Sequence, residues 1–203
     1  QGEFRCIDQY PGQLGENGAL FKWFKYKFLP GGKFAQRPML YVDGDESFTH
    51  RGIESVIGEE ISMPRENHSD FYKKFNAIDL FVKSQPIITD GEAQIISQDD
   101  DGFAAWIISK EPLKTSFLVV VNYKYETEKV CKCDEDGNSY SEIVNGQPIY
   151  DKHIHLPGDY EIEKEHYIEG NEFVSKPIEC NDSTLNFDKL EPCEFRVYEL
   201  KKA

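Results

Sequence analysis

The stretch FAAWIISKEPLKTSFLVVVNY, residues 103–123, decides the fold predicted for this chain. Two runs of aromatic and aliphatic residues, 103–109 and 116–123, flank a short polar turn that contains a proline. Runs of this length and composition predict two consecutive strands. The first run is apolar at odd and even positions alike, so we expect both faces of its strand to be buried and Trp106 to lie in the core.

Strand-like runs separated by turn residues continue on either side of this stretch, from residue 86 to the end of the chain. They read AQIIS, EKVCK, YSEIV, QPIYDKHIHL, GDYEIEK, STLNFDKL and CEFRVYEL. The dipeptides Asp136-Gly137 and Asn145-Gly146 predict hairpins, because type I′ turns need positive φ at both central positions. About eight short strands spaced by such turns predict an antiparallel β-sandwich or barrel over 86–203.

Residues 1–85 show helical periodicity instead. Apolar residues recur there at steps of three and four in two segments: Leu20, Trp23, Phe24 and Phe28 in the first, and Phe71, Phe75, Ile78 and Val82 in the second. This spacing predicts two amphipathic helices, with Trp23 in the core rather than on a sugar-binding surface. Ser69 suits the N-cap of the second helix, and Pro86 ends it. The chain is therefore predicted to be α+β, with one unit at 1–85 and another at 86–203.

The composition restricts the partners of the chain. It has 203 residues, a formal net charge of −14 and 39% hydrophobic residues, enough for a substantial core. A surface this acidic repels phosphate backbones and anionic membranes, whereas a neutral sugar meets no such penalty. No apolar run approaches the roughly 20 residues of a membrane helix. The chain begins without Met and carries no secretory signal, so a mature, a processed and a cut chain all stay open, as does its localisation.

The cysteines define neither a disulfide framework nor a metal site. The five are Cys6, Cys131, Cys133, Cys180 and Cys193, and an odd number leaves at least one unpaired. Cys180 and Cys193 are placed to pair across a hairpin, but spacing alone does not establish the pair. Cys131 and Cys133 share one face of a strand, without a second cysteine pair at zinc-site spacing.

Other polar clusters have a simple structural interpretation. Asp99, Asp100 and Asp101 precede Gly102, and residues 134–142 read DEDGNSYSE, but neither stretch has the alternating ligands of an EF-hand loop. Both are interpreted as Asp-rich hairpin turns. His153 and His155 face the same side of a strand and could begin a zinc site, but no third ligand is evident nearby. We therefore predict no metal and no cofactor.

A short strand at 38–42, PMLYV, runs directly into Asp43, Gly44, Asp45 and Glu46. An apolar strand that ends in an acidic turn often presents carboxylates at the mouth of a barrel or at the edge of a sheet. Gly44 would allow the backbone to bend there. The turn is either the rim of a site or a solvated loop.

The order of these stretches resembles the C-terminal end of an α-amylase-family glycoside hydrolase, in which a (β/α)₈ barrel is followed by an antiparallel β-domain. RPMLYVDGDES is similar to the eighth barrel strand, and FYKKFNAIDLFVKSQPIITDGE to the last barrel helix and its exit. DGFAAWIIS, FLVVVNY, HLPGDYEI and CEFRVYEL are similar to strands of the C-terminal domain. The resemblance implies a substrate-side position for Asp43, Asp45 and Glu46.

The upstream stretch EFRCIDQYPGQLGENGALFKWF can be laid on the seventh barrel strand and helix. In that register Asp8 matches the aspartate that stabilises the transition state, while Cys6 and Ile7 stand where the family carries Asn and His. An Ile cannot supply the hydrogen bond that this His makes to the sugar. The resemblance thus implies a catalytic role for Asp8 in an incomplete motif.

The same resemblance implies that the catalytic nucleophile and the acid/base lie outside this chain, before Gln1. Retaining glycosidases hold two carboxyl groups about 5 Å apart. We expect a C-terminal part of an enzyme acting on α-glucans or α-glucosides, by hydrolysis or transfer, with a β-sandwich that stabilises the barrel and is not catalytic alone. Two alternatives stay open, namely a non-catalytic amylase-like scaffold and a carbohydrate-binding β-sandwich module.

Overall fold

The structure, a computed structural model, describes residues 15–28, 70–134, 137–158, 160–178 and 184–202. The helices in these residues are α1 (Gly15–Phe28), α2 (Asp70–Ser84) and α3 (Pro86–Asp90). The strands are β1 (Glu92–Gln98), β2 (Phe103–Ser109), β3 (Thr115–Asn122), β4 (Thr127–Cys133), β5 (Ser139–Asn145), β6 (Ile149–His155), β7 (Tyr160–Glu169), β8 (Glu172–Pro177), β9 (Thr184–Leu190) and β10 (Phe195–Lys202). Helices followed by antiparallel strands confirm the predicted α+β class.

A six-stranded antiparallel sheet forms the centre of the fold. Its strand order is β1-β2-β3-β10-β7-β8. β3 lies in the middle, with Val119 opposite Trp106 of β2 and Val197 of β10. β2 and β3, the two strands predicted from residues 103–123, are therefore adjacent in the sheet, as their short connection predicts.

Both faces of this sheet are covered. On β3, Phe117 and Val119 contact the helices, whereas Leu118 and Val120 pack against a separate two-stranded sheet of β6 and β9. Alternate side chains of a strand point to opposite faces, so a strand buried on both sides is apolar throughout. The result is a helical layer, the six-stranded sheet and the β6–β9 sheet, which confirms the sandwich-like arrangement.

The helices follow from their apolar spacing, and Pro86 has a second role. α2 ends at Ser84, whose Oγ donates to the carbonyl of Phe81 over 2.7 Å. α3 then begins with Pro86 at its first position. Proline lacks the N–H that the first turn of a helix leaves unpaired anyway, so the residue predicted to end one helix also starts the next.

One of the two predicted hairpin dipeptides is confirmed and the other is wrong. β4 pairs with β5 across a turn in which Gly137 has a φ of 82°. Asn145-Gly146 does not join paired strands, because β5 pairs with β4 and β6 pairs with β9. The N–H of Gly146 instead donates to the carbonyl of Glu126 over 3.0 Å, and a Cβ at Gly146 would lie 2.0 Å from the carbonyl oxygen of Tyr125. The glycine allows two chain segments to approach closely.

Strand β8 was not among the predicted strands. It pairs with β7 through a tight turn in which Gly170 has a φ of 60°. β8 lies at the edge of the sheet and is mostly exposed, with Phe173 and Val174 as its two large apolar residues, so it lacks the continuous apolar run that identifies β2 and β3.

The predicted strand at 38–42 lies outside the described residues, and the division into units at 1–85 and 86–203 stays a prediction. Within the described ranges, none of the helices has the length and apolar character needed to cross a membrane.

Candidate functional site

The residues predicted to act on substrate, Asp8, Asp43, Asp45 and Glu46, all lie outside the described residues. Their roles stay predictions. Two features of the described residues are candidate sites. One is the packing of the helices on the six-stranded sheet, and the other is a cleft lined by charged residues of the helices and the sheet.

A buried polar cluster joins α1 to α2. The indole Nε1 of Trp23 donates to Asp79 Oδ1 over 3.0 Å, and Lys27 Nζ lies 3.4 Å from the same oxygen. The ammonium of Lys27 also lies 4.3 Å from the centroid of the Trp23 ring. Because Trp23 is only 1% exposed, this carboxylate provides the acceptor that the buried indole needs. The cluster fixes the position of one helix along the other.

Stacked aromatic rings join α1 to the sheet. Phe24 lies between Phe28 and Phe195, with ring centroids 4.2 and 3.8 Å away. The indole Nε1 of Trp106 donates to the carbonyl of Phe28 over 3.2 Å, at the last residue of α1. The final carbonyls of a helix have no partner within the helix, so the sheet provides one. Trp106 and Trp23 are thus core residues, as predicted.

A buried histidine lies where α2 meets β7 and β8. His166 Nδ1 is 2.7 Å from Ser175 Oγ, and its Nε2 is 3.4 Å from Glu199 Oε2 without a hydrogen bond of good geometry. The ring contacts Phe81 of α2 and Phe173 of β8, with centroids 4.8 and 6.5 Å away. Burial lowers the pKa of His166 and outweighs the attraction of Glu199. The imidazole is therefore neutral near pH 7.

A cleft of 820 Å³ opens where α1, α2, β7 and the β9–β10 turn come together. Arg196 lines this cleft, and its guanidinium lies 2.7 Å from Glu194 and 3.8 Å from Glu165. Tyr198 donates to the same Glu165 oxygen over 3.1 Å, and burial, followed by the charge of Glu165, raises the pKa of this phenol. These carboxylates are held by ion pairs, which favours a structural role over general acid–base catalysis.

The thiol of Cys193 also lines this cleft. Burial raises its pKa to about 11, so the group is a protonated thiol rather than a nucleophile at neutral pH. Its Sγ lies 3.5 Å from the carbonyl oxygen of Lys124 and is not part of a disulfide. Cys180, the partner that the spacing left open, lies outside the described residues.

The acidic turn before Gly102 has the predicted hairpin structure. Asp99 Oδ1 accepts from the backbone N–H groups of Asp101 and Phe103, both over 3.0 Å, and Asp99 Oδ2 lies 2.6 Å from Lys152 Nζ. Burial opposes ionisation of Asp99, but these hydrogen bonds outweigh it and lower its pKa. The carboxylate ties the turn to β6.

Sequence reasoning did not identify Asp79, His166 or Arg196. Asp79 and His166 act through partners far along the chain, Trp23 and Glu199, whereas Arg196 pairs with nearby Glu194 and with distant Glu165. A charged residue in an otherwise apolar helical stripe was the available signal for Asp79, because such a residue needs a buried partner. The sequence holds no comparable signal for the other two.

Of three comparisons with known proteins, the one with solved structures finds relatives of similar fold. No protein-family model matches the chain, and no curated protein matches it. The solved structures that it resembles are α-amylase-family glycosidases.

Three of these structures illustrate the likeness. An Anoxybacillus alpha-amylase is 13% identical over 92% of this chain, with a TM-score of 0.46. The isomaltulose synthase of Erwinia rhapontici NX5 is 22% identical over 64% of the chain, with a TM-score of 0.36. The trehalose-6-phosphate hydrolase of Bacillus licheniformis is 18% identical over 86%, with a TM-score of 0.37. The chain spans 33%, 17% and 25% of their respective lengths. Identities this low leave its activity to be inferred from its own residues.

Proposed function

We propose that this chain is the C-terminal part of a glycoside hydrolase or glucanotransferase acting on α-glucans or α-glucosides. In this proposal the β-rich region stabilises the helices that pack on it and performs no chemistry alone. Two lines of support converge: the sequence stretches that resemble the last barrel strand, the last barrel helix and the C-terminal strands, and the burial of both long helices on the sheet.

The burial of the helices carries the proposal. Phe24 of α1 and Ile78 of α2 are both fully buried in the cluster that includes Phe117 and Val119 of the sheet. Each large apolar side chain moved out of water contributes about 1.5–3 kcal/mol. A helix that places several such side chains on the sheet depends on the sheet to stay folded, which is the expected role of a stabilising domain.

The charged groups of the described residues support a role without catalysis. Two catalytic carboxyls of a retaining glycosidase lie about 5 Å apart and face the sugar. Glu165 and Glu194 instead share Arg196, and Glu199 pairs with Lys164 over 3.0 Å. In the proposed enzyme, catalysis falls to Asp8 and to residues outside this chain, while Asp43, Asp45 and Glu46 contact the substrate side.

The exposed aromatic residues favour this proposal over a sugar-binding module. Such a module needs a row of aromatic rings on one sheet face. Among the large apolar side chains that are exposed in the described ranges, the aromatic ones are Tyr140 and Tyr150. They lie on different two-stranded sheets, β4–β5 and β6–β9, and form no such row.

The role of the sheet can be tested by hydrogen exchange in the full chain. Trp106→Phe keeps an aromatic ring and removes the indole N–H that bonds the end of α1. We expect amides in the last turn of α1 to exchange at least about tenfold faster, because a buried carbonyl loses its donor. Phe103→Leu is the matched control, since Phe103 lies on the same strand and faces β6–β9. Equal exchange at α1 in both variants would contradict the proposal.

The absence of activity is tested by assaying the 203-residue chain on maltose, sucrose and starch. We expect no release of reducing sugar beyond the rate without protein. Turnover that copurifies with the chain and disappears in Asp8→Asn would overturn the stated role. Any coding sequence that precedes residue 1 provides a further test: two additional carboxylates at the ends of barrel strands support the enzyme, and their absence supports a non-catalytic scaffold.

A further inference from the structure

Two exposed imidazoles lie side by side on the outer face of the β6–β9 sheet. His153 and His155 occupy alternate positions of β6, and Ile154 between them is buried in the core below. Their ring centroids are 5.5 Å apart, with the ring planes at 69° to each other. Both rings therefore stand on the solvent side of a strand whose backbone is fixed by pairing with β9.

This separation suits a single bound metal ion. Imidazole nitrogens bind zinc at 2.0–2.1 Å, so two rings on one tetrahedral ion have centroids roughly 5 Å apart. The observed 5.5 Å is close to this value.

A hydroxyl group on the neighbouring strand orients one of the rings. Thr184 pairs with His155 in the β6–β9 register, and its Oγ1 lies 2.8 Å from His155 Nδ1. When Nδ1 carries the proton and donates to this hydroxyl, the lone pair on Nε2 is free for a metal. A hydrogen bond at the nitrogen that does not bind the metal is the usual way in which proteins orient histidine ligands.

The sequence alone predicts no metal, but the ring spacing and the bond to Thr184 lead to a different conclusion: we propose that His153 and His155 form a two-histidine site for a divalent first-row transition metal. Imidazole suits Cu²⁺, Ni²⁺ and Zn²⁺, and the general order of affinity makes Cu²⁺ the tightest of the three. Across the described ranges, no three His, Cys, Asp or Glu side chains gather at one point, so water fills the other coordination positions. The site is open, and its metal exchanges freely with solution.

The test is a titration of the full chain with Cu²⁺ and Zn²⁺ by calorimetry, with Ca²⁺ as a cation that prefers oxygen ligands. We expect one equivalent of Cu²⁺ to bind, more tightly than Zn²⁺, and Ca²⁺ not to bind. His153→Gln and His155→Gln should each weaken Cu²⁺ binding at least tenfold, because one imidazole cannot chelate. Thr184→Val should weaken it less, since both ligands stay.

Among the side chains that the structure describes, the exposed thiol of Cys133 is a competing ligand, so Cys133→Ser is the matched control. We expect this variant to bind like the parent chain. Binding that is lost in Cys133→Ser, or that is unchanged in both histidine variants, overturns the proposal.

Magnetic resonance of the unaltered chain tests the same site without a substitution. Zn²⁺ should shift the imidazole signals of His153 and His155 and leave those of His166 unchanged, because that ring is buried against Ser175. Shifts at His166, or no shift at the pair, contradict the two-histidine site.

Discussion

The two faces of the six-stranded sheet are built differently. The helix-side cluster is rich in large aromatic residues, among them Phe21, Trp23 and Phe28, whereas the side facing β6–β9 is mostly aliphatic, with Leu118 and Val120 at its centre. Aromatic rings cover more surface for each residue, and their edges and N–H groups require particular partners. The helices are therefore positioned by specific aromatic and N–H contacts, and the β6–β9 sheet mainly by aliphatic packing, together with bonds from Asn122 and the Asp99–Lys152 pair.

The buried polar residues divide in the same way. His166, on the helix side, has an imidazole whose pKa is lowered by burial, and Asp79 on the same side accepts from the buried indole N–H of Trp23, whereas Ser116 and Asn122, on the side facing β6–β9, are neutral. Asn122 donates to the carbonyls of Gln147 and Leu190 over 3.2 and 3.1 Å. The comparison teaches that the helix side is the part of this core that pH and single polar substitutions disturb first.

The largest expected effect comes from removing the ring at the centre of the helix-side cluster. Phe24→Ala should lower the free energy of unfolding by about 3–5 kcal/mol, because it leaves a cavity between Phe28 and Phe195. Urea denaturation followed by circular dichroism measures the loss. Leu80→Ala is the control, since Leu80 is 57% exposed on α2, and should change the value by less than about 0.5 kcal/mol. Similar losses in the two variants would show that α1 is not part of the cooperative core.

A smaller loss is expected at the polar cluster between the helices. Asp79→Ala leaves the buried indole N–H of Trp23 without its acceptor and should cost about 1–3 kcal/mol in the same assay. Asp79→Asn keeps an oxygen at this position and should recover part of the loss. If both substitutions cost the same, then the interaction with Lys27, rather than the bond from Trp23, holds the helices together.

The smallest expected effect is the pH dependence at His166. Its pKa is lowered in the folded state, so the unfolded chain, in which histidine titrates near 6.5, binds the proton more tightly. The folded state is thus favoured above this pH and loses stability as the pH falls through 6.5 toward the folded value, by at most about 1.4 kcal/mol per pH unit. The groups around the ring are Ser175 and Phe173 of β8, Glu199 of β10, Lys164 and Glu165 of β7, Phe117 of β3 and Phe81 of α2.

His166→Gln isolates this contribution. Comparing the free energy of unfolding at pH 7.5, 6.5 and 5.5 in the variant and the parent chain cancels the titration of the other histidines. We expect the parent to lose more stability than the variant on acidification. Parallel losses in the two proteins would mean that the proton binds both states of His166 equally.

Much of this fold is predictable from local pattern. β2 and β3 appear in the sequence because strands covered on both faces must be apolar throughout, and α1 and α2 appear because their buried residues recur at helical spacing. β8 does not, since an edge strand with solvent on one side needs few apolar residues. The hairpin predicted at Asn145-Gly146 was wrong, because this dipeptide favours a turn but does not determine which strands pair.

The candidate site is less predictable than the fold. The partner of Trp23 lies 56 residues away, and the pocket around His166 draws on four strands, β3, β7, β8 and β10, and on α2. Spacing along the chain reports only on neighbours within one element, so such contacts emerge only when the layers are assembled. The roles of Asp8, Asp43, Asp45 and Glu46 depend on the resemblance and stay predictions.

The close meeting of Glu126 and Gly146 has a consequence for protein engineering. The β4–β5 hairpin leaves the main body at Glu126 and returns at Gly146, whose backbones are joined by a 3.0 Å hydrogen bond. Its two ends are therefore close together, and in the described part of the chain β4 and β5 pair with each other in a sheet of their own. Excising the hairpin with a short glycine link, or grafting a reporter peptide in its place, should leave the three layers intact.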